Sequence, residues 1–126
     1  MTIQKFTDLE AWKEAHSLTL VIYKDTNTFP GSELYSIISQ LRRAAVSIES
    51  CIVEGFSRFH YKDRLNFYYD ARGSLSEVQT QIIISKDLGY LSEQRFKEIM
   101  KQTEKVGLIL GGLIRSTYNL SQKKSS

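Results

Sequence analysis

A chain of 126 residues, 41% hydrophobic and 25% charged, is one domain's worth of sequence, long enough for a sizeable core and too short for two comfortable ones. Its formal charge of +3 and pI near 9.0 are mild, so a nucleic-acid role must come from where the cations sit and not from their total. One cysteine excludes an intrachain disulfide framework, no apolar stretch approaches the roughly 20 residues that cross a bilayer, and no charged, apolar leader opens the sequence, so a cytoplasmic protein is expected.

With a single proline and seven glycines, the backbone is built for long regular elements, which favours an all-α fold. Thr7 and Glu10, three positions apart, predict a capping box for helix 1. Leu9, Trp12, Ala15, His16, Thr19, Ile22 and Tyr23 hold one face of that helix until Asn27. Phe29-Pro30-Gly31 then breaks the pattern, and Ser32 can cap helix 2. Helix 2 is predicted to run to Ser57 or Arg58, about 40 Å at 1.5 Å per residue.

Helix 2 carries two seams. Leu34, Ile37, Ile38, Leu41, Ala44, Ala45, Ile48, Ile52 and Gly55 follow the spacing of a helix face turned into a core. Ser36, Ser39, Arg43, Val46, Ser50, Val53 and Ser57 run down nearly the opposite side. A lone bundle needs one such seam, so the second predicts a cover supplied by more of the chain or by another copy.

Helix 3 begins between Tyr61 and Asp63, buries Leu65, Tyr68, Ala71, Leu75, Val78 and Ile82, and stops where Gly89 suits a left-handed C′ position. Helix 4 opens with Ser92 as N-cap, Glu93 in the positive first turn and Leu91 placed to staple onto Phe96. Its core face is Phe96, Ile99, Thr103, Val106, Leu110, Leu113 and Thr117. The stretch Val106 to Ile114 has no charge on any side, and Gly107 and Gly111 allow a close backbone approach, either a snug internal crossing or a contact between copies. The expected architecture is an up-down-up-down antiparallel four-helix bundle over residues 1–120, with a polar frayed tail at 121–126, assembling as a ring-like homo-oligomer. Ser39, Arg43, Val46, Ser50, Val53, Gly107 and Gly111 are its candidate interface residues.

Catalysis needs titratable groups brought together, and the two histidines, His16 and His60, fall on different elements without a nucleophile motif. His16 lies on the core side of helix 1 and reads as structural; Cys51 reads as a small apolar filler. No Glu-x-x-His pairs or phosphate-binding glycine loop are present, so no metal, cofactor or catalytic residue is expected. Convergence of Glu54, Asp70 and Glu77 would revive an enzyme.

Cations alternate with aromatics from Arg58 to Tyr69, the pattern in which Arg and Lys neutralise phosphates while rings stack on unpaired bases. Arg58, Lys62 and Arg64 are the candidate nucleic-acid contacts, with Arg42 and Arg43 as interface or nucleic-acid contacts; Arg43 either bridges to a neighbouring subunit or faces a phosphate. The bland alternative is a solvated junction over a hydrophobic base. Lys97, Lys101 and Lys105 form a second stripe, which Glu93 and Glu104 make a routine paired face.

Gln40-Leu41-Arg42-Arg43-Ala44-Ala45-Val46-Ser47-Ile48 followed by Glu54-Gly55 resembles the hallmark of four-helix-bundle proteins encoded by intervening sequences in bacterial 23S ribosomal RNA genes. Phe6, Leu9, Trp12 and Ala15, then Tyr23, Phe29-Pro30, Glu33, Tyr35 and Gly73-Ser74-Leu75 with Glu77, extend the likeness over nearly the whole chain. Departures are Glu49 for a common proline, Cys51 for asparagine and Val53 for alanine; without the proline, helix 2 should be straighter. The resemblance implies a ring-shaped homopentamer, similar in fold to accessory proteins of diversity-generating retroelements, which bind nucleic acid and a reverse transcriptase. The expected function is therefore a non-enzymatic homo-oligomer binding structured RNA, or RNA and DNA together. Five copies would pool about +15 of charge for multivalent phosphate contact. The alternative is a protein-interaction scaffold or retroelement adaptor without direct nucleic-acid binding.

Overall fold

Four helices, α1 (Glu10–Thr26), α2 (Ser39–Phe56), α3 (Tyr61–Asp87) and α4 (Glu93–Ser125), account for most of the chain in a computed structural model that describes residues 4–125. No strand occurs among the described residues. α1 packs on α2 and α4, and α3 packs on the same two, so a core forms between all four. Its largest fully buried side chains include Leu18 and Ile22 of α1, Leu41, Ile48 and Ile52 of α2, Tyr68, Val78 and Ile82 of α3, and Ile99, Val106 and Leu110 of α4.

The start of α1 differs from expectation. Thr7 lies inside a 3₁₀ turn, Phe6–Asp8, closed by Asp8 N–H to the Lys5 carbonyl at 2.9 Å and Leu9 N–H to the Phe6 carbonyl at 3.0 Å. Leu9 consequently occupies the N-cap with no side-chain hydrogen bond, and the Thr7–Glu10 capping box does not form. Placing Leu9 there sends an apolar residue into the core. The buried stripe of α1 is Ala11, Ala15, Leu18, Thr19, Ile22 and Thr26, rotated from the predicted face, while Trp12 and His16 sit half-buried at its edge and Tyr23 is exposed.

α2 is also shorter than its periodicity suggests. After Pro30 the chain makes a 3₁₀ turn, Gly31–Glu33, then a wide π turn, Leu34–Ile38, in which Ser36 leaves helical geometry at φ −124° and ψ −105°. Ser32 caps nothing; the local hydroxyl bond is instead Ser36 Oγ donating to Glu33 Oε2 at 2.9 Å. The slip in phase turns Leu34 outward, and the core seam begins at Ile37 and Ile38. The regular part of α2 has 18 residues, about 27 Å and not 40 Å long. Leu41, Ala44, Ala45, Ile48, Ile52 and Gly55 are all buried, as the seam predicts.

α3 buries all six predicted positions. It ends in a full Schellman arrangement: Gly89 at φ +82° donates to the Lys86 carbonyl at 2.9 Å, and Tyr90 donates to the Ser85 carbonyl at 2.9 Å. Ser92 caps α4 by accepting the Arg95 N–H at 3.1 Å, again as predicted. Inside the core, Thr103 Oγ1 donates to the Met100 carbonyl at 2.6 Å and accepts from Gln79 Nε2 at 3.1 Å, so its hydroxyl is satisfied although fully buried.

The tail expected to fray is a continuation of α4 to Ser125, and Ser121 is buried; Ser126 lies outside the described residues. Ile114 joins the core while Leu113 is half-buried, a small rotation from the predicted face. The apolar stretch of α4 is not enclosed within one chain, for Leu108 is 77% exposed. A Cβ at Gly107 would meet only Leu75 Cδ2 at 3.4 Å, and one at Gly111 only the Arg115 guanidinium at 3.6 Å, so neither glycine serves a tight internal crossing. Among the described residues no helix is long and apolar enough to cross a membrane.

Candidate nucleic-acid interface

The link between α2 and α3, residues 57–60, is short and held by its own hydrogen bonds. Ser57 Oγ donates to the Glu54 carbonyl at 2.7 Å, and Arg58 N–H donates to the Gly55 carbonyl at 3.1 Å. Arg64, one turn into α3, reaches back to donate from Nε to the Arg58 carbonyl at 2.7 Å. These bonds fix the Arg58 backbone and the Arg64 side chain against each other at one end of the bundle. Lys62 stands exposed on the first turn of α3, between them in sequence.

Aromatic rings hold the two guanidiniums. Arg58 Cζ lies 4.7 Å from the Phe67 ring centre, and its Nη2 is 3.4 Å from Glu54 Oε2. Arg64 Cζ lies 5.3 Å from the Phe56 ring and 5.4 Å from the Tyr61 ring. Beneath them Tyr68 is buried, which pushes its phenol above the usual range while the neighbouring Arg64 pulls the other way. Much of the aromatic content of this segment therefore supports its own cations. Phe59 is 82% exposed, with the perpendicular His60 ring 5.1 Å away. Arg72 over Tyr69, at 5.1 Å, repeats the pairing on α3 and escaped the sequence reading; the i, i+3 spacing of ring and guanidinium was its signal.

Arg42 and Arg43, in the first turns of α2 and so away from the Arg58 end of the helix, part company with each other. Arg42 donates from Nε to Thr26 Oγ1 at 2.9 Å and from Nη2 to Asn27 Oδ1 at 3.0 Å, with its Cζ 4.8 Å from the Tyr23 ring. That side chain ties α2 to the C-terminal end of α1, where a cation also meets the negative end of the helix dipole. Arg43 is exposed, in a polar groove between α2 and α3 lined by Gln40, Ser47, Ser74, Glu77 and Gln81. In the single chain Val46 and Ser50 face outward and Ser39 and Val53 are partly covered, so the second seam has an uncovered flank.

His16 is engaged structurally: Nδ1 lies 3.1 Å from Glu49 Oε1, and the ring stacks on Trp12 at 4.8 Å and 11°. Glu49, the residue standing where the resembled family commonly has proline, thus links α2 to α1. Cys51 is half-buried, with Ser47 Oγ 3.9 Å from its sulfur. Glu54 pairs with Arg58, Glu77 lines the Arg43 groove, and among the described residues no three His, Cys, Asp or Glu side chains are grouped to hold a metal. On the lysine stripe, Lys105 pairs with Glu14 of α1 at 3.2 Å, while Glu93 is 3.8 Å from Lys86. Sequence reading also missed Arg95, which donates to Asp25 Oδ2 from Nε at 3.2 Å and Nη2 at 2.5 Å, pinning the start of α4 to the end of α1.

Comparison with known proteins agrees with this architecture. The sequence model of a family described as 23S rRNA-intervening sequence protein matches residues 7–112. Among solved structures, the crystal structure of a protein with unknown function from the S23 ribosomal protein family of Bacteroides thetaiotaomicron VPI-5482 is similar, with a TM-score of 0.74 and 16% identity. The likeness covers 82% of this chain and 97% of that one, and at such identity it is a likeness of fold. No curated protein matches the chain.

Proposed function

The chain belongs to the 23S rRNA-intervening sequence protein family, and from that premise we propose that it is a non-enzymatic, homo-oligomeric bundle that binds nucleic acid, structured RNA or RNA and DNA together, in the cytoplasm. The observation that carries this reading is the bond from the Arg64 guanidinium to the Arg58 backbone carbonyl, which with the exposed Lys62 gathers three cationic residues at one end of the bundle. Guanidiniums held on ring faces lose less side-chain freedom when a phosphate arrives than unsupported ones do. One chain offers few such contacts, so affinity comes from repetition around a ring of copies. Short links from α2 to α3 and from α3 to α4, and helices that each pack on their sequence neighbours, support an up-down-up-down arrangement within each copy. The outward seam of α2 and the exposed Leu108 on α4 supply apolar surface for ring contacts.

Filter binding to a structured RNA across a salt series tests the reading. Affinity falling linearly on logarithmic axes as salt rises supports it, since phosphate contacts release counterions. Affinity absent at low salt, or indifferent to salt, counts against it. A protein partner such as a reverse transcriptase, recovered equally well after nuclease treatment, would favour an interaction scaffold whose cations serve solubility.

A further inference from the structure

We infer that the α2–α3 link selects unpaired nucleotides, one base stacking on Phe59 while Arg58 and Lys62 meet the flanking phosphates. This rests on the nucleic-acid reading above and adds the substrate class: looped or single-stranded RNA, as opposed to duplex. Among the rings of the junction, Phe67 lies under Arg58, Phe56 and Tyr61 beside Arg64, and Tyr68 in the core. Phe59, whose ring stands perpendicular to that of His60, is 82% exposed, and holding so large an apolar side chain in water forgoes about 1.5 to 3 kcal/mol of burial.

Its position is set by the chain around it. Arg58 N–H is bonded to Gly55, the Arg58 carbonyl to Arg64, and the His60 carbonyl to the Arg64 N–H at 3.1 Å, so the residues on both sides of Phe59 are fixed. A ring presented this way can stack only on a base with an open face. Paired bases cover one another, and the deep, narrow major groove of duplex RNA excludes side chains, whereas a looped base of any identity offers its π face. Glu54 and Asp63 lie beside the cations and limit how many phosphates the link can take, which places more of the binding on the base.

Fluorescence anisotropy of the full chain with two labelled RNAs, a hairpin with an unpaired loop and a blunt duplex carrying the same stem, tests this at low salt. The hairpin should bind more tightly than the duplex. Phe59→Ala should weaken hairpin binding roughly tenfold or more and leave duplex binding unchanged, and Phe59→Trp should restore it. Circular dichroism of both variants should match the native chain, because the side chain is outside the core. Equal binding of hairpin and duplex, or a Phe59→Ala protein that binds the hairpin like the native one, overturns the substrate class and leaves nucleic-acid binding standing. No binding to either RNA overturns both.

Discussion

Gly55 on α2 abuts the ring of Tyr68 on α3 so closely that a Cβ at position 55 would stand 2.6 Å from Cε1 and 2.9 Å from Cδ1. The Arg64 carbonyl would be 3.1 Å away on the backbone side. Tyr68 is 1% exposed and has nowhere to retreat. Gly55→Ala should therefore destabilise the fold by about 1 to 3 kcal/mol through overpacking, outweighing the gain of about 1 kcal/mol that alanine brings to a helix. Gly73, exposed in the middle of α3 with nothing within 4 Å of its virtual Cβ, is the opposite case, and Gly73→Ala should stabilise by about 0.5 to 1 kcal/mol. Urea unfolding with unchanged m-values would show midpoints moving in opposite directions; two shifts of the same sign would refute the packing argument.

How much of this was legible beforehand follows from what each feature depends on. The buried face of α3, the Ser92 cap and the Gly89 stop depend on local period and local chemistry, and all three stand as read. The start of α2 depends on a backbone departure at Ser36 that side-chain spacing does not encode, which is why Leu34 was assigned to the core and lies outside it. The face of α1 was read some way round the helix from its true position because α1 packs on two helices at once, which makes Leu18 central and Tyr23 peripheral. At the candidate interface the run of cations and rings was visible, but which rings were already committed to Arg58 and Arg64 required the fold.

The tandem arginines give a sharp contrast. Arg42→Ala removes hydrogen bonds to Thr26 and Asn27 and a ring contact with Tyr23, loosening the tie between α2 and the end of α1. A loss of about 1 to 2 kcal/mol is expected, below the usual range for charged hydrogen bonds because part of the side chain is in water. Arg42→Lys should recover little, since one ammonium cannot reproduce the two-pronged guanidinium geometry. Arg43→Ala, on the exposed side, should change the stability of the isolated chain by no more than about 0.5 kcal/mol. Chemical denaturation of the three variants decides; equal losses at 42 and 43 would mean that the Thr26–Asn27 contact carries no weight.

Burial pushes the Cys51 thiol above its ordinary range; the Ser47 hydroxyl opposes this, and the carboxylates of Asp70 and Glu54 add to it. The thiolate is the reactive form, so iodoacetamide should alkylate the folded protein more slowly at mildly alkaline pH than the urea-unfolded chain. The linkage has a definite sign. The folded state holds the proton more tightly, so this contribution to stability is fully present below the unfolded thiol's pKa and is lost as pH rises through the higher folded value. Alkylation as fast in the folded state as in urea, or stability rising across that alkaline window because of Cys51, would contradict the assignment; Cys51→Ser provides the control.

A closed ring makes a demand on surface chemistry that a two-fold dimer does not. Every subunit of a ring offers two different faces, one to each neighbour, whereas a two-fold dimer uses one self-complementary face. Val46 is 38% exposed on the outward seam of α2, and Leu108 is 77% exposed on α4. If these are the two complementary faces of the proposed ring, Val46→Lys and Leu108→Lys should each lower the mass measured by light scattering, and neither should alter the helical signal, because both positions lie outside the core. Mixing the two variants should restore only a limited assembly across the one junction that keeps both native faces. A native chain that stays monomeric at high concentration would remove the multivalency on which the proposed nucleic-acid binding depends, and sensitivity at only one of the two positions would replace the proposed ring with a dimer.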